Sequence, residues 1–272
     1  MVFSSFEFLF RFLPAFLIIY FITPKKFRNA VLFLGSIAFY TYGEAQYVLL
    51  LLASVTVNYV IARSMYKTPE DGRGRRQAVL LVLALCYDFG MLFFFKYSGL
   101  TTKLPLGISF YTFQIAAYVI DVYRGIVPAE KSYVNLGTYL TMFPQLIAGP
   151  IVRFQSVQAE LKHREITWEK TGEGAARFVC GLCKKVLIAD SLATFVQTLQ
   201  NISETAAKAE SAVTAGIRAE GAGIGTLGYW VLALAFMLQL YYDFSGYSDM
   251  AIGLGKILGF TFPENFRYPF IS

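Results

Sequence analysis

Ala78-Val-Leu-Leu-Val-Leu-Ala-Leu-Cys-Tyr-Asp88-Phe-Gly-Met-Leu-Phe-Phe-Phe95 is eighteen consecutive residues interrupted by a single charge. A helix of about 20 apolar residues spans the roughly 30 Å of a bilayer core. The stretch therefore reads as a membrane helix, and its aspartate as a group that must face protein. Similar runs recur on both sides of it. Upstream lie 3–22, carrying Pro14 as an expected kink, then 27–42 and 45–62, joined at Gly43-Glu44. Downstream come 104–123, 133–150, a short crossing at 186–199, a further crossing at 225–240, and a glycine-rich helix at 249–260. The fold expected is all-α and polytopic, with seven to nine membrane segments.

Composition agrees. The chain is 56% hydrophobic and 15% charged, whereas soluble domains carry about 25% charge. The excess of base over acid gathers in short loops beside apolar runs: Lys25, Lys26 and Arg28, then Arg63, Lys67, Arg73, Arg75 and Arg76. Such loops mark the cytoplasmic side of a membrane protein. A nucleic-acid binder would need a basic face on a soluble fold, and none is visible. The polar stretch 151–177 reads as helices at the cytoplasmic face, and 200–223, whose only bases are Lys208 and Arg218, fits the outside. No signal-peptide cleavage pattern follows the first apolar run.

The segments 104–123 and 133–150 contain prolines, glycines and amides, including Gln114, Pro144, Gln145 and Gly149. Broken helices of this kind belong inside protein, because lipid cannot satisfy the freed backbone groups. A carboxylate at a helix centre costs about 2.5–3.5 kcal/mol on insertion scales. Asp88, Asp121, Asp243 and Asp249 are thus the informative acids, with Lys96 a possible partner for Asp88 and Arg124 for Asp121. The densest polar cluster is Gln239-Leu-Tyr-Tyr-Asp243-Phe-Ser245-Gly-Tyr247-Ser-Asp249. It has to line a cavity or a polar network, with Gly246 expected to break the helix and turn both aspartates inward. The residues alone leave a catalytic chamber, an ion path or a structural knot open.

Other signals are weaker. Gly253-Leu-Gly255-Lys256 lacks the spacing and hydroxyl of a phosphate-binding loop. Gly255 and Gly259, four apart, are expected to let two membrane helices approach closely. Cys180 and Cys183 lie one turn apart with no second pair, so no metal site is expected. His163, the one histidine, sits between Lys162 and Arg164 and reads as a surface residue.

Taken together and in order, six stretches resemble the membrane-bound O-acyltransferase family. They are Pro105-Leu-Gly-Ile-Ser-Phe-Tyr-Thr-Phe-Gln114 with Ile120-Asp-Val-Tyr-Arg124, Phe143-Pro-Gln-Leu-Ile-Ala-Gly-Pro-Ile-Val-Arg153, Gly181-Leu-Cys-Lys-Lys-Val-Leu-Ile-Ala-Asp190, the run from Gln239 to Gly253, and Glu264-Asn265-Phe-Arg-Tyr-Pro-Phe-Ile-Ser272. The opening Met1-Val-Phe-Ser-Ser5 is similar to the bacterial alginate O-acetyltransferase branch. The resemblance implies a multi-pass protein of the bacterial inner or plasma membrane that moves an acyl group, acetyl by its branch, to hydroxyls of an exported polysaccharide or cell-envelope polymer. It implies an acyl thioester donor on the cytoplasmic side (acetyl-CoA or an acyl carrier) and, outside, a polysaccharide or an acyl-accepting partner protein. No bound cofactor is implied. Residues 1–103 are expected as N-terminal membrane helices and 104–272 as the front of the catalytic core. Gln114, Gln145, Gln239, Tyr242, Asp243, Ser245, Tyr247, Asp249 and Asn265 are the expected chamber-lining residues. The family's catalytic histidines fall beyond the motif at 265–271, so this stretch of chain is expected to supply chamber wall without catalytic residues and to be inactive alone. The rival expectation is a transporter or channel subunit using its intramembrane carboxylates, or an inactive product.

Overall fold

The computed structural model describes residues 3–66, 74–99, 104–146, 149–150, 152–214 and 225–266, with side chains omitted over 205–214. Parts of the expected loops 63–76 and 200–223, the boundary at 103, the opening Met1-Val2 and most of the 265–271 motif lie outside the described residues.

Every regular element described is helical. A π-helical turn, Phe8–Phe12, leads into α1, Leu13–Ile22. Then follow α2, Arg28–Glu44; α3, Val48–Tyr66; α4, Arg75–Tyr97; α5, Ile108–Tyr123; α6, Tyr133–Thr141; and α7, Phe143–Leu146. The chain continues as α8, Phe154–Lys162; α9, Trp168–Cys183; α10, Asp190–Thr214; and α11, Thr226–Leu258. Among the described residues three segments are long and apolar enough to cross a membrane: Lys25–Tyr66, Arg75–Tyr97 and Thr226–Leu258. Large apolar side chains point outward from them and from α1, among them Ile22, Leu49, Phe93 and Trp230. Water would not stabilise such a surface.

Several expectations change. Pro14 lies just after the π-helical turn Phe8–Phe12, inside a helical run that continues to Ile22, so the chain stays helical there and the widened turn ahead of the proline accommodates its missing N–H. The crossing expected at 186–199 is not a separate element. Residues 168–214 form one helical run in which Lys184–Ala189 is a π-helical turn between α9 and α10. The segments expected at 225–240 and 249–260 are likewise one helix, α11, unbroken at Gly246.

The break expected within 133–150 is present. The chain leaves helical geometry at Met142, between α6 and α7. Protein groups satisfy the backbone there: the Phe143 N–H donates to Ser36 Oγ at 3.1 Å, the Gln145 amide donates to the Tyr139 carbonyl, and Tyr139 donates its hydroxyl hydrogen to the Val152 carbonyl at 2.9 Å. Aromatic rings hold this corner in place. Phe143 meets Phe16 edge-on at 5.2 Å and Phe12 at 5.6 Å, tying α7 to α1 and its leading turn. Phe3 stacks on Tyr247 of α11 at 4.6 Å.

Candidate functional site

The helices that carry the Asp243–Asp249 cluster meet through glycine. A Cβ on Gly181 would stand 2.6 Å from the Gly246 carbonyl oxygen, and one on Gly253 would stand 2.5 Å from that of Gly174. Gly174 faces Gly253 and Gly181 faces Gly246, so α9 and α11 run antiparallel with their backbones touching. Each pair is seven residues apart, about 700° of helical rotation, which returns both glycines to one face. The expected close approach therefore exists, but at other glycines. Gly255 meets the Phe262 ring and Gly259 caps α11 in the left-handed region at φ 85°.

With the backbones this close, short side chains reach across. Arg177 donates to Asp249 Oδ1 from Nε at 3.1 Å and from Nη2 at 2.8 Å, and its outer face grips the Glu264 carboxylate. Lys184 closes on Asp249 Oδ2 at 2.5 Å and donates to Ser245 Oγ at 3.3 Å. Lys185 bridges Asp243 at 2.6 Å and Asp190 at 3.0 Å. Further along, Lys256 meets Glu173 at 3.2 Å. The Arg177 guanidinium holds the Glu264 carboxyl below its ordinary range, and the same bond raises Arg177.

Asp243 and Asp249 are about 600° apart on a continuous helix and so leave it in different directions. What unites them is not a break at Gly246 but the two consecutive lysines of the π-helical turn. The resulting environments differ: the Asp249 side chain is 15% exposed between two cations, while that of Asp243 is 42% exposed and shares its one lysine with Asp190. Asp249 is thus the enclosed carboxylate of the network and Asp243 the more exposed one.

The remaining candidates are dispersed. Ser245 belongs to the network through Lys184. Gln239 and Tyr242 lie half-buried on α11, Tyr247 packs on Phe3, and Asn265 is exposed. Gln114 on α5 and Gln145 on α7 are buried outside the ion network, each with an unpartnered carbonyl oxygen. Asp88 is met by the Asn58 amide at 2.7 Å and not by Lys96, whose ammonium lies over the Tyr97 ring at 5.7 Å. His163 is exposed. Among the described residues no cluster of His, Cys, Asp and Glu could hold a metal ion. Reading the sequence for acids missed the partners Arg177, Lys184, Lys185 and Glu264. The available signal was the seven-residue glycine spacing repeated at 174/181 and 246/253.

Comparison with known proteins gives a consistent kinship. No family model matches the chain. It is 39% identical to a probable alginate O-acetylase AlgI of Pseudomonas aeruginosa and 37% identical to one of Azotobacter vinelandii, in each case over 100% of this chain and 52% and 54% of the relative. It is 30% identical to a peptidoglycan O-acetyltransferase of Helicobacter pylori over 99% of this chain and 56% of that protein. The chain thus spans about half the length of the curated relatives it matches.

Proposed function

This chain belongs to the membrane-bound O-acyltransferase family, and from that premise we propose that it forms part of an enzyme transferring acetyl groups to hydroxyls of an exported polysaccharide or envelope polymer. The observation that carries this reading is the identity with alginate O-acetylases along the whole chain. In this reading the protein is polytopic in the bacterial inner or plasma membrane, with seven to nine segments. Residues 1–103 supply membrane helices and 104–272 supply the front of the catalytic core. An acyl thioester, acetyl-CoA or an acyl carrier, delivers the group from the cytoplasmic side, and the acceptor polymer or an acyl-accepting partner protein receives it outside.

The α9–α11 unit is the rigid wall of the transfer chamber. Its backbone contact and ion pairs fix Asp249, Ser245 and Asp243 in one arrangement, the kind of preorganisation that acyl transfer rewards. Asp243 is the ligand-facing member, with Gln239 and Tyr242 near it on α11; Tyr247, Gln114, Gln145 and Asn265 line other parts of the chamber. Deleting the gene in its native bacterium and measuring O-acetyl esters on each envelope polymer by NMR tests the reading. Loss of ester from one polymer, restored by the wild-type gene, is expected. Unchanged ester content on every polymer would refute it.

A further inference from the structure

A second polar region lies at the opposite end of α11 from Thr226. There the Lys25–Arg28 turn meets the end of α8, the start of α9 and the cap of α11 around three adjoining cavities of about 580, 350 and 370 Å³. The middle cavity is lined by Lys25, Lys26, Arg28, Lys162 and Arg164 against one carboxylate, Glu160. That carboxylate accepts the Thr261 N–H at 3.0 Å and can offset only one of the five positive charges. Among the described residues none of the five cations is in an ion pair, whereas Arg177, Lys184, Lys185 and Lys256 in the α9–α11 network all are.

Arg164 is the decisive member. Its guanidinium lies 4.5 Å over the Phe260 ring and 5.8 Å over the Tyr20 ring, and it donates from Nη2 to the Asn29 side-chain oxygen. Tyr20 is itself pinned by its hydroxyl to the Leu258 carbonyl at 2.7 Å, and Arg28 covers the same ring at 5.6 Å. Two guanidinium groups are therefore held around one ring with no anion between them. Arg164 Nη1 is buried without a hydrogen-bond partner. Burial pulls its pKa below the ordinary value. A buried donor on a charged group is costly to leave unmet, and like charges held together add to that cost.

We propose that this cavity is an anion site for a phosphate ester, with Arg164 Nη1 as the fixed donor and the surrounding lysines and Arg28 as its electrostatic shell. A phosphate carries the charge and the several acceptor oxygens that this set of donors calls for. A single carboxylate would leave most of the cations unneutralised. The adjoining cavity has Phe21, Ile166 and Trp168 on its walls, beside Lys25, Arg28 and one carboxylate, Glu165. The non-phosphate part of the ligand lies there, apolar or ring-shaped. Both a soluble phosphorylated molecule and a phospholipid headgroup have this chemistry. The proposal does not depend on the acyl-transfer reading.

The test uses the full chain in detergent and in nanodiscs. Pyrophosphate is titrated against thermal unfolding in detergent, with chloride at matched ionic strength as control. Nanodiscs of phosphatidylglycerol are compared with nanodiscs of phosphatidylcholine. A saturable stabilisation by pyrophosphate is expected for a soluble source; stabilisation confined to phosphatidylglycerol identifies the lipid. In either case Arg164→Gln weakens apparent binding by about tenfold or more. Because Arg164 also packs on Phe260, the double variant Lys25→Gln, Lys162→Gln, at two exposed positions, provides a second reading and is expected to weaken binding as well. A wild-type response to pyrophosphate no larger than to chloride, together with no difference between the lipids, overturns the proposal. So does an equal response in wild type and both variants.

Discussion

Asp88 and Asp249 both sit on long apolar helices, and the molecule holds them in opposite ways. Asp249 takes two donors from Arg177 and one from Lys184, and the helix bearing those partners touches its own through bare backbone. Asp88 is fully buried and receives one hydrogen bond, from the Asn58 amide, which also donates to the Ser54 carbonyl at 3.0 Å. Asp88 Oδ2 and Asn58 Oδ1 have no partner. One carboxylate is surrounded by charge-bearing donors, while the other lacks even a neutral donor for its second oxygen. A buried ion needs compensation from opposite charge, so the Asp249 site is built to hold an anion and the Asp88 site is not.

The strongest way to break this contrast is to separate α9 from α11. Gly181→Leu or Gly246→Leu places a Cβ only 2.6–2.8 Å from the facing carbonyl oxygen. The expected loss is about 3 kcal/mol or more, from overpacking together with the ion pairs it disrupts. Denaturation in mixed micelles measures it, and a loss under about 1 kcal/mol would mean the backbone contact is not tight.

Asp249→Asn asks less. It keeps the shape but leaves Lys184 without its carboxylate and Arg177 with Glu264 alone, at a cost of about 1.5–3 kcal/mol by the same measurement. Reversal of the effect by a second change, Lys184→Met, would sharpen the assignment to charge.

A smaller effect comes from pH. The Glu264 carboxyl is held below its ordinary value of 4.5 by Arg177. Its contribution is therefore complete above that value and is lost as pH falls through the lower, folded-state value. The stability difference between wild type and Glu264→Gln is expected to be constant near neutrality and to shrink below about pH 4. A difference that grew on acidification would contradict the pairing.

The smallest effect is expected at Asp88. In Asp88→Asn an N–H takes the place of the neutral acid's O–H toward Asn58 Oδ1, so stability should change by less than about 1 kcal/mol. A loss matching that of Asp249→Asn would show that Asp88 is held as an ion, and the contrast would fail.

The sequence carried the helices well where apolar length was the signal: α2, α3 and α4 match the expected runs within a few residues, and the break between α6 and α7 follows from Pro144 and its neighbours. It misled at the charges. Lys184-Lys185 looked like the edge of a crossing because hydropathy counts each lysine as a group that needs water. Their carboxylates lie about sixty residues further on and supply the compensating charge. Gly255 and Gly259 drew notice because four-residue spacing is recognisable within one helix. The pairs that touch are spaced by seven on two separate helices, and that pattern has meaning only once the helices are known to meet. Asp243, Ser245 and Asp249 were found as acids and hydroxyl in an apolar setting; nothing local indicated which of them would be locked and which left open.

The π-helical turn at Lys184–Ala189 sets the phase of α10 relative to α9. Removing one residue from this turn would let it relax to ordinary α-helix, rotating the whole of α10 by about 100° and drawing it back by about 1.5 Å. Ser203 would then swing away from Tyr229, whose hydroxyl it now meets at 2.9 Å. A deletion of one codon here would thus alter the molecule more than most substitutions along α10, because it acts on the count of residues and not on their chemistry.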